Sequence, residues 1–172
     1  IEETEYSLFE NNLSENILSS FLCSKIVGQT VADTAKGGKL IFISSIHGEK
    51  PTGRAFLYSC AMGALSNLAK ETSLEYGRLG VDTICVEMGP TGGEDEILKS
   101  EISTFYDAYQ YKIPSGYLGN ANDLASLCAW LISDQCRYLN GAQIRMDGGL
   151  VLHYVDERVN DWMTRSGMGK IL

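Results

Sequence analysis

The chain has 172 residues, 44% of them hydrophobic and 21% charged, with a formal charge of −8. That is enough chain for one domain with a sizeable core, and the acidic balance argues against nucleic acid or an anionic membrane as partner. No apolar run approaches the ~20 residues that span a bilayer, and the first residues carry no basic-then-apolar leader pattern, so a cytoplasmic setting is expected.

Five cysteines, Cys23, Cys60, Cys85, Cys128 and Cys136, include no C-x-x-C pair. They read as small hydrophobes of a reducing compartment. His47 and His153 are the two histidines, and with no paired spacing they predict no metal site.

Residues 3–34 read as a long helix that could break near Asn11–Asn12, with Ile17, Leu18, Phe21, Leu22, Ile26 and Val27 as its apolar face. Gly37–Gly38 are expected to end it in the left-handed manner. Lys39–Ser44 predicts a buried strand, and Gly48, Pro51 and Gly53 predict a turn. Residues 57–77 predict a helix with Leu57, Ala61, Leu65, Leu68 and Ala69 on one face, stopped by Gly77 and Gly80. A strand over 81–87 leads into Met88-Gly89-Pro90-Thr91-Gly92-Gly93.

Residues 94–118 read as an acidic, then aromatic segment with Phe105, Tyr106, Tyr109 and Tyr111. Asn122 is the expected N-cap of a helix over 123–133 that turns Leu124, Leu127, Cys128 and Leu131 inward. A last strand over 142–147 runs into Asp147-Gly148-Gly149. In the tail, Val155, Val159 and Trp162 stand at helical spacing. Helix, strand, helix, strand, helix, strand with short turns predicts an α/β fold with a parallel sheet and helices on both faces. Residues 1–154 are expected to form one domain and 155–172 a tail.

Ser45 closes the first strand, and Tyr58 stands thirteen residues on, at a helix start. Ligands of open α/β sheets sit at the carboxyl ends of the strands. Ile43-Ser44-Ser45, twelve further residues and then Tyr58 resembles the Ser-(12)-Tyr-x-x-x-Lys signature of the short-chain dehydrogenases/reductases. Met62 stands where that family has its Lys. Asn16 matches the Asn that family members use to kink their fourth helix and hold a water of the proton relay. Gly89, Pro90 and Thr91 lie at the family's Pro-Gly step, which is followed by a Thr touching the nicotinamide. Here Met88 replaces the Pro, and Gly93 stands at the Thr position. Tyr117-Leu118-Gly119 resembles an R-x-G step, and residues 141–149 resemble the closing G-x-x-I-x-V-D-G-G strand.

The resemblance covers roughly residues 10–154 and implies a partial Rossmann-like, three-layer fold. It makes Ser45, Tyr58 and Asn16 the catalytic positions, and residues 94–118 a substrate lid. The family's Gly-rich pyrophosphate turn has no counterpart in these 172 residues. In the family, Lys supplies the charge that favours the Tyr phenolate, and Met62 has none. The chain alone is therefore expected to bind no cofactor, with NAD or NADP held by an active partner. The family's assembly surfaces, here 3–34 with 57–77 and 123–133 with 142–147, are retained. They imply a hetero-oligomer with an intact family member, or otherwise a homo-oligomer. The expected function is a degenerate, non-catalytic subunit. The alternatives are an active NAD(P)-dependent alcohol/ketone oxidoreductase whose N-terminal half lies outside these residues, and a module that re-uses the pocket for another ligand.

Overall fold

The computed structural model describes residues 1–34, 36–53, 55–92, 112–153, 162 and 164–166. Helix α1 (Tyr6–Leu13) continues through a π-helical turn (Ser14–Leu18) into α2 (Ser19–Thr34). Strand β1 (Gly38–Ser45), a 3₁₀ turn (Ile46–Gly48), α3 (Phe56–Tyr76), a second 3₁₀ turn (Gly77–Leu79) and β2 (Val81–Met88) follow. Helix α4 (Ala121–Leu131), β3 (Ala142–Met146) and a short 3₁₀ turn (Leu150–Leu152) complete the described elements. The predicted aromatic segment 94–118 and the tail lie largely outside the described residues.

The sheet has the order β1-β2-β3, and β1 runs parallel to β2 from Gly38↔Val81 to Ser45↔Met88. β2 is the central strand. Val81, Thr83, Ile84, Cys85, Val86 and Glu87 are all buried, as a strand covered on both faces requires. β1 is the edge strand among the described residues, and its Ile43 is 42% exposed. Lys39 and Asp82 are direct cross-strand neighbours joined by a 2.6 Å ion pair, and Lys39 also donates to the Cys136 carbonyl.

The chain divides into two compact units. The first comprises Ile1–Met88 and Ala125–Arg145, and its core gathers Phe42, Leu65, Ala69 and Cys85, with Ile17, Leu40 and Leu68 packed against them. Small buried residues on α3, Ala61, Ser66, Ala69 and Ser73, let that helix lie close to its neighbours. Asn140 staples β2 to the turn before β3: its Oδ1 accepts from Thr83 N–H at 2.8 Å, and its Nδ2 donates to the Ser73 carbonyl at 3.3 Å. The second unit comprises Gly89–Leu124 and Met146–Leu172. There Asp147 accepts from the N–H groups of Gly149 and Val151 at 2.9 and 2.8 Å. Gly148 and Gly149 take φ of 61° and 89°, which is why the turn is written Asp-Gly-Gly.

Three local expectations are corrected. Gly37 and Gly38 are not left-handed: α2 ends at Thr34, and Gly37 is small because a Cβ there would lie 2.5 Å from the Gly80 carbonyl. The N-cap of α4 is Asn120, not Asn122. Asn120 Oδ1 accepts from the N–H of Asn122 and Asp123, while Asp123 Oδ2 accepts from Asn120 N–H, a reciprocal cap that outcompetes a start two residues later. The irregularity of the first helix lies at Ser14–Leu18, not at Asn11–Asn12.

One glycine is required by close approach. A Cβ on Gly48 would lie 2.9 Å from Gly63 N and 3.0 Å from the Met62 carbonyl carbon, both backbone atoms of α3. Gly48→Ala should push the 3₁₀ turn off α3 and destabilise the chain by about 1–3 kcal/mol, the usual cost of overpacking. A urea midpoint unchanged from the parent would contradict this.

Candidate active site

Ser45 ends β1 and caps the 3₁₀ turn that follows: its Oγ accepts from His47 N–H at 3.2 Å, and the residue is 6% exposed. Tyr58 is the third residue of α3 and is 40% exposed. The His47 ring meets Tyr58 edge-on, with centroids 6.0 Å apart and planes at 70°, while His47 Nδ1 lies 3.3 Å from the Lys50 carbonyl. His47 therefore touches both hydroxyl-bearing residues, one through its backbone and the other through its ring. Sequence reasoning missed it because its spacing to Ser45 and Tyr58 belongs to no motif.

Met62 lies one helical turn beyond Tyr58 and is 6% exposed. Its backbone carbonyl accepts from Ser44 Oγ at 3.0 Å. The position that carries the family's ammonium is thus a buried thioether, with neither charge nor donor to offer a phenolate.

Asn16 sits at the centre of the π turn, a helical irregularity that occurs frequently at functional sites. Its Nδ2 donates to the Asn12 carbonyl at 2.8 Å, and its own carbonyl takes a bond from Ser20 Oγ at 3.3 Å. The π turn packs against α3, the helix that carries Tyr58.

Gly89, Pro90 and Thr91 belong to the second unit and serve its own packing. Gly89 N–H donates to the Met146 carbonyl at 2.8 Å, and a Cβ on Gly89 would fall 2.7 Å from Asp147 Cα. Thr91 is exposed and forms a parallel bridge with Gly119.

Cys85 is buried in the first unit, and burial pushes its thiol up from the ordinary cysteine value, with Ser66 acting in the opposite direction. A buried thiol held protonated is a poor nucleophile, so Cys85 is part of the core and not of the chemistry. Among the described residues no cluster of His, Cys, Asp or Glu could hold a metal ion. No described helix is long and apolar enough to cross a membrane.

The family model described as Enoyl-(Acyl carrier protein) reductase matches residues 1–151. The chain belongs to the short-chain dehydrogenase/reductase (SDR) family. The uncharacterized oxidoreductase YohF of Escherichia coli K12 is 33% identical over 137 residues, which are 77% of this chain and 52% of that protein. L-rhamnose-1-dehydrogenase of Scheffersomyces stipitis is 28% identical over 155 residues, 89% of this chain and 59% of that one. The crystal structure of acetoin dehydrogenase from Enterobacter cloacae matches with a TM-score of 0.79 at 25% identity, over 90% of this chain and 60% of that chain. The SDR chain therefore spans little more than half the length of these relatives.

Two family features of a dinucleotide site are missing from these residues. Buried Met62 stands at the Lys position, and the 172 residues contain no G-x-x-x-G-x-G turn.

Proposed function

We propose that this chain is a non-catalytic SDR-family subunit that assembles with an active NAD(P)-dependent oxidoreductase and supports it. Met62 carries the reading: at 6% exposure it is embedded where the reaction of an intact member needs a charged donor beside its Tyr. An SDR fold with that substitution keeps its shape and its assembly surfaces while losing the group that activates the phenol. The chain alone then binds neither NAD nor NADP. The cofactor sits in the partner, an intact SDR subunit, with a homo-oligomer as the arrangement if no such partner exists. A cytoplasmic location accords with the free cysteines.

A second reading is favoured by Ser45, Tyr58 and the π turn at Asn16, which together keep the rest of the family's site. Under it, this chain is the C-terminal half of an active oxidoreductase, and residues outside these 172 supply the dinucleotide-binding half. The names of the relatives, a rhamnose dehydrogenase and an acetoin dehydrogenase, then point to an alcohol/ketone pair as substrate.

Purification from the native source with subunit identification by mass separates the two. Recovery of this chain with a distinct, full-length SDR subunit supports the first reading. Recovery of one longer polypeptide containing this sequence, active with NAD or NADP, overturns it. Calorimetric titration adds a direct check: the 172-residue chain should give no heat with either nucleotide, and micromolar binding would rule out the first reading.

A further inference from the structure

Polar contacts from two neighbouring elements converge on Glu87, a carboxylate 6% exposed near the end of β2. From α3, Ser66 Oγ donates to Glu87 Oε1 at 3.3 Å. Ser66 Oγ also lies 3.3 Å from Ser44 Oγ, and Ser44 donates to the Met62 carbonyl. From β3, Gln143 Nε2 donates to the same Oε1 at 3.3 Å, and Arg145 Nε stands 4.0 Å from Oε2. Arg145 Nε is buried with no other partner, while its Nη2 donates to Glu49.

The positions of Ser44 and Glu49 are not arbitrary. Ser44 immediately precedes Ser45, and Glu49 immediately follows the Ile46–Gly48 turn. Glu87 is thus the cross-strand partner of Ser44 on one flank of the segment that presents Ser45 and His47, and is linked through Arg145 to Glu49 on the other. An acid buried beside Val86 is a costly choice for a core position that an apolar side chain could fill. It is accounted for if the charge is used to fix neighbours in place.

We infer that Glu87 is a positioning residue: through Arg145–Glu49 it holds the Ser45–Gly48 turn against the sheet and so orients His47 toward Tyr58. The tie stands under either reading of the function, and it can be followed without cofactor or substrate. The reporter is the His47 amide, which donates to Ser45 Oγ.

Hydrogen exchange followed by NMR on the 172-residue chain tests it, with Glu87→Gln and Arg145→Met. Glu87→Gln keeps the shape and the Oε1 acceptor and removes the charge that faces Arg145. Each variant should speed His47 amide exchange by at least about tenfold, the loss expected when a hydrogen bond or ion pair to a buried charge is broken. The Ile84 and Val86 amides in the middle of β2 should keep their parent rates. The double variant should be no faster at His47 than either single one, since both cut the same tie. The inference is overturned if His47 exchange is unchanged, if it rises only in step with Ile84 and Val86, or if the double variant adds the two effects.

Discussion

Phe21→Glu should dissociate the assembly that the proposed subunit role requires. The outer side of the first helical segment presents Leu18, Phe21, Leu22 and Ile26, which are 48%, 48%, 46% and 61% exposed in the chain by itself. Leu18, Leu22 and Ile26 recur every four residues and so form one stripe, with Phe21 beside it. The side of α2 that is buried in this chain is instead Ser24, Gly28 and Val31. A contiguous apolar patch of this kind is rare on a soluble monomer, and under the proposed subunit role it is the face expected to meet the partner. Beside it runs a groove of about 280 Å³ between α2 and α3, lined by Phe21, Lys25, Leu68, Glu71 and Tyr76 among others. A carboxylate in the middle of a desolvated contact costs several kcal/mol of association, so the dissociation constant should rise by about a hundredfold or more. The monomer should lose little, because Phe21 is half-exposed within it. Leu68 is a poorer place for the same test, since it packs on the Phe42–Leu65–Ala69–Cys85 core and a charge there would damage the fold as well. Sedimentation velocity at graded concentrations decides the matter. A variant that sediments like the parent, or a parent that is already a monomer, removes the main support for a subunit role.

Met62→Lys should destabilise the chain without giving it activity. The new ammonium would have to leave a buried apolar place or stay there unpaired, and an unpaired buried polar group costs about 1–3 kcal/mol in proteins. For a chain of this size that is a fall in Tm of roughly 2–12 °C, at about 2–4 °C per kcal/mol. Restoring the family's Lys does not restore a phosphate-binding turn, so NAD- or NADP-dependent alcohol oxidation by the 172-residue chain should stay at the blank rate. Turnover in the variant would mean that these residues hold a working cofactor site, and the non-catalytic reading would fall.

The strands were legible because their evidence is local. Lys39–Ser44 and Val81–Glu87 are rich in apolar and β-branched residues, and each predicted strand ends within a residue of its observed bounds. The Ser45–Tyr58 spacing is local too. The cap of α4 was also written in the sequence, as Asn120 followed three residues later by Asp123, a reciprocal pattern that outranks Asn122 once both partners are considered. The contacts of Glu87 were not legible. They join residues from Ser44 to Arg145, and no periodicity reports which polar side chains a fold will bring together. The outward apolar stripe was ambiguous for a different reason. A helix face destined for a partner has the same composition and period as one destined for the core, and only the packing of Ser24, Gly28 and Val31 tells them apart here.

The π turn sets a relation between two helices that share one axis. Each α-helical residue advances the chain by about 100° around that axis, and a π turn accommodates one residue more than an α turn does. Ser14–Leu18 therefore works as a one-residue phase shift between α1 and α2. Tyr6, Leu8 and Phe9 on α1 and Phe21, Leu22 and Ile26 on α2 are set around the axis by that extra residue, not by an unbroken 3.6-residue count. Deleting a single residue from Ser14–Leu18 would leave a regular helix and rotate the two apolar sets against each other by about 100°, a little over a quarter of a turn.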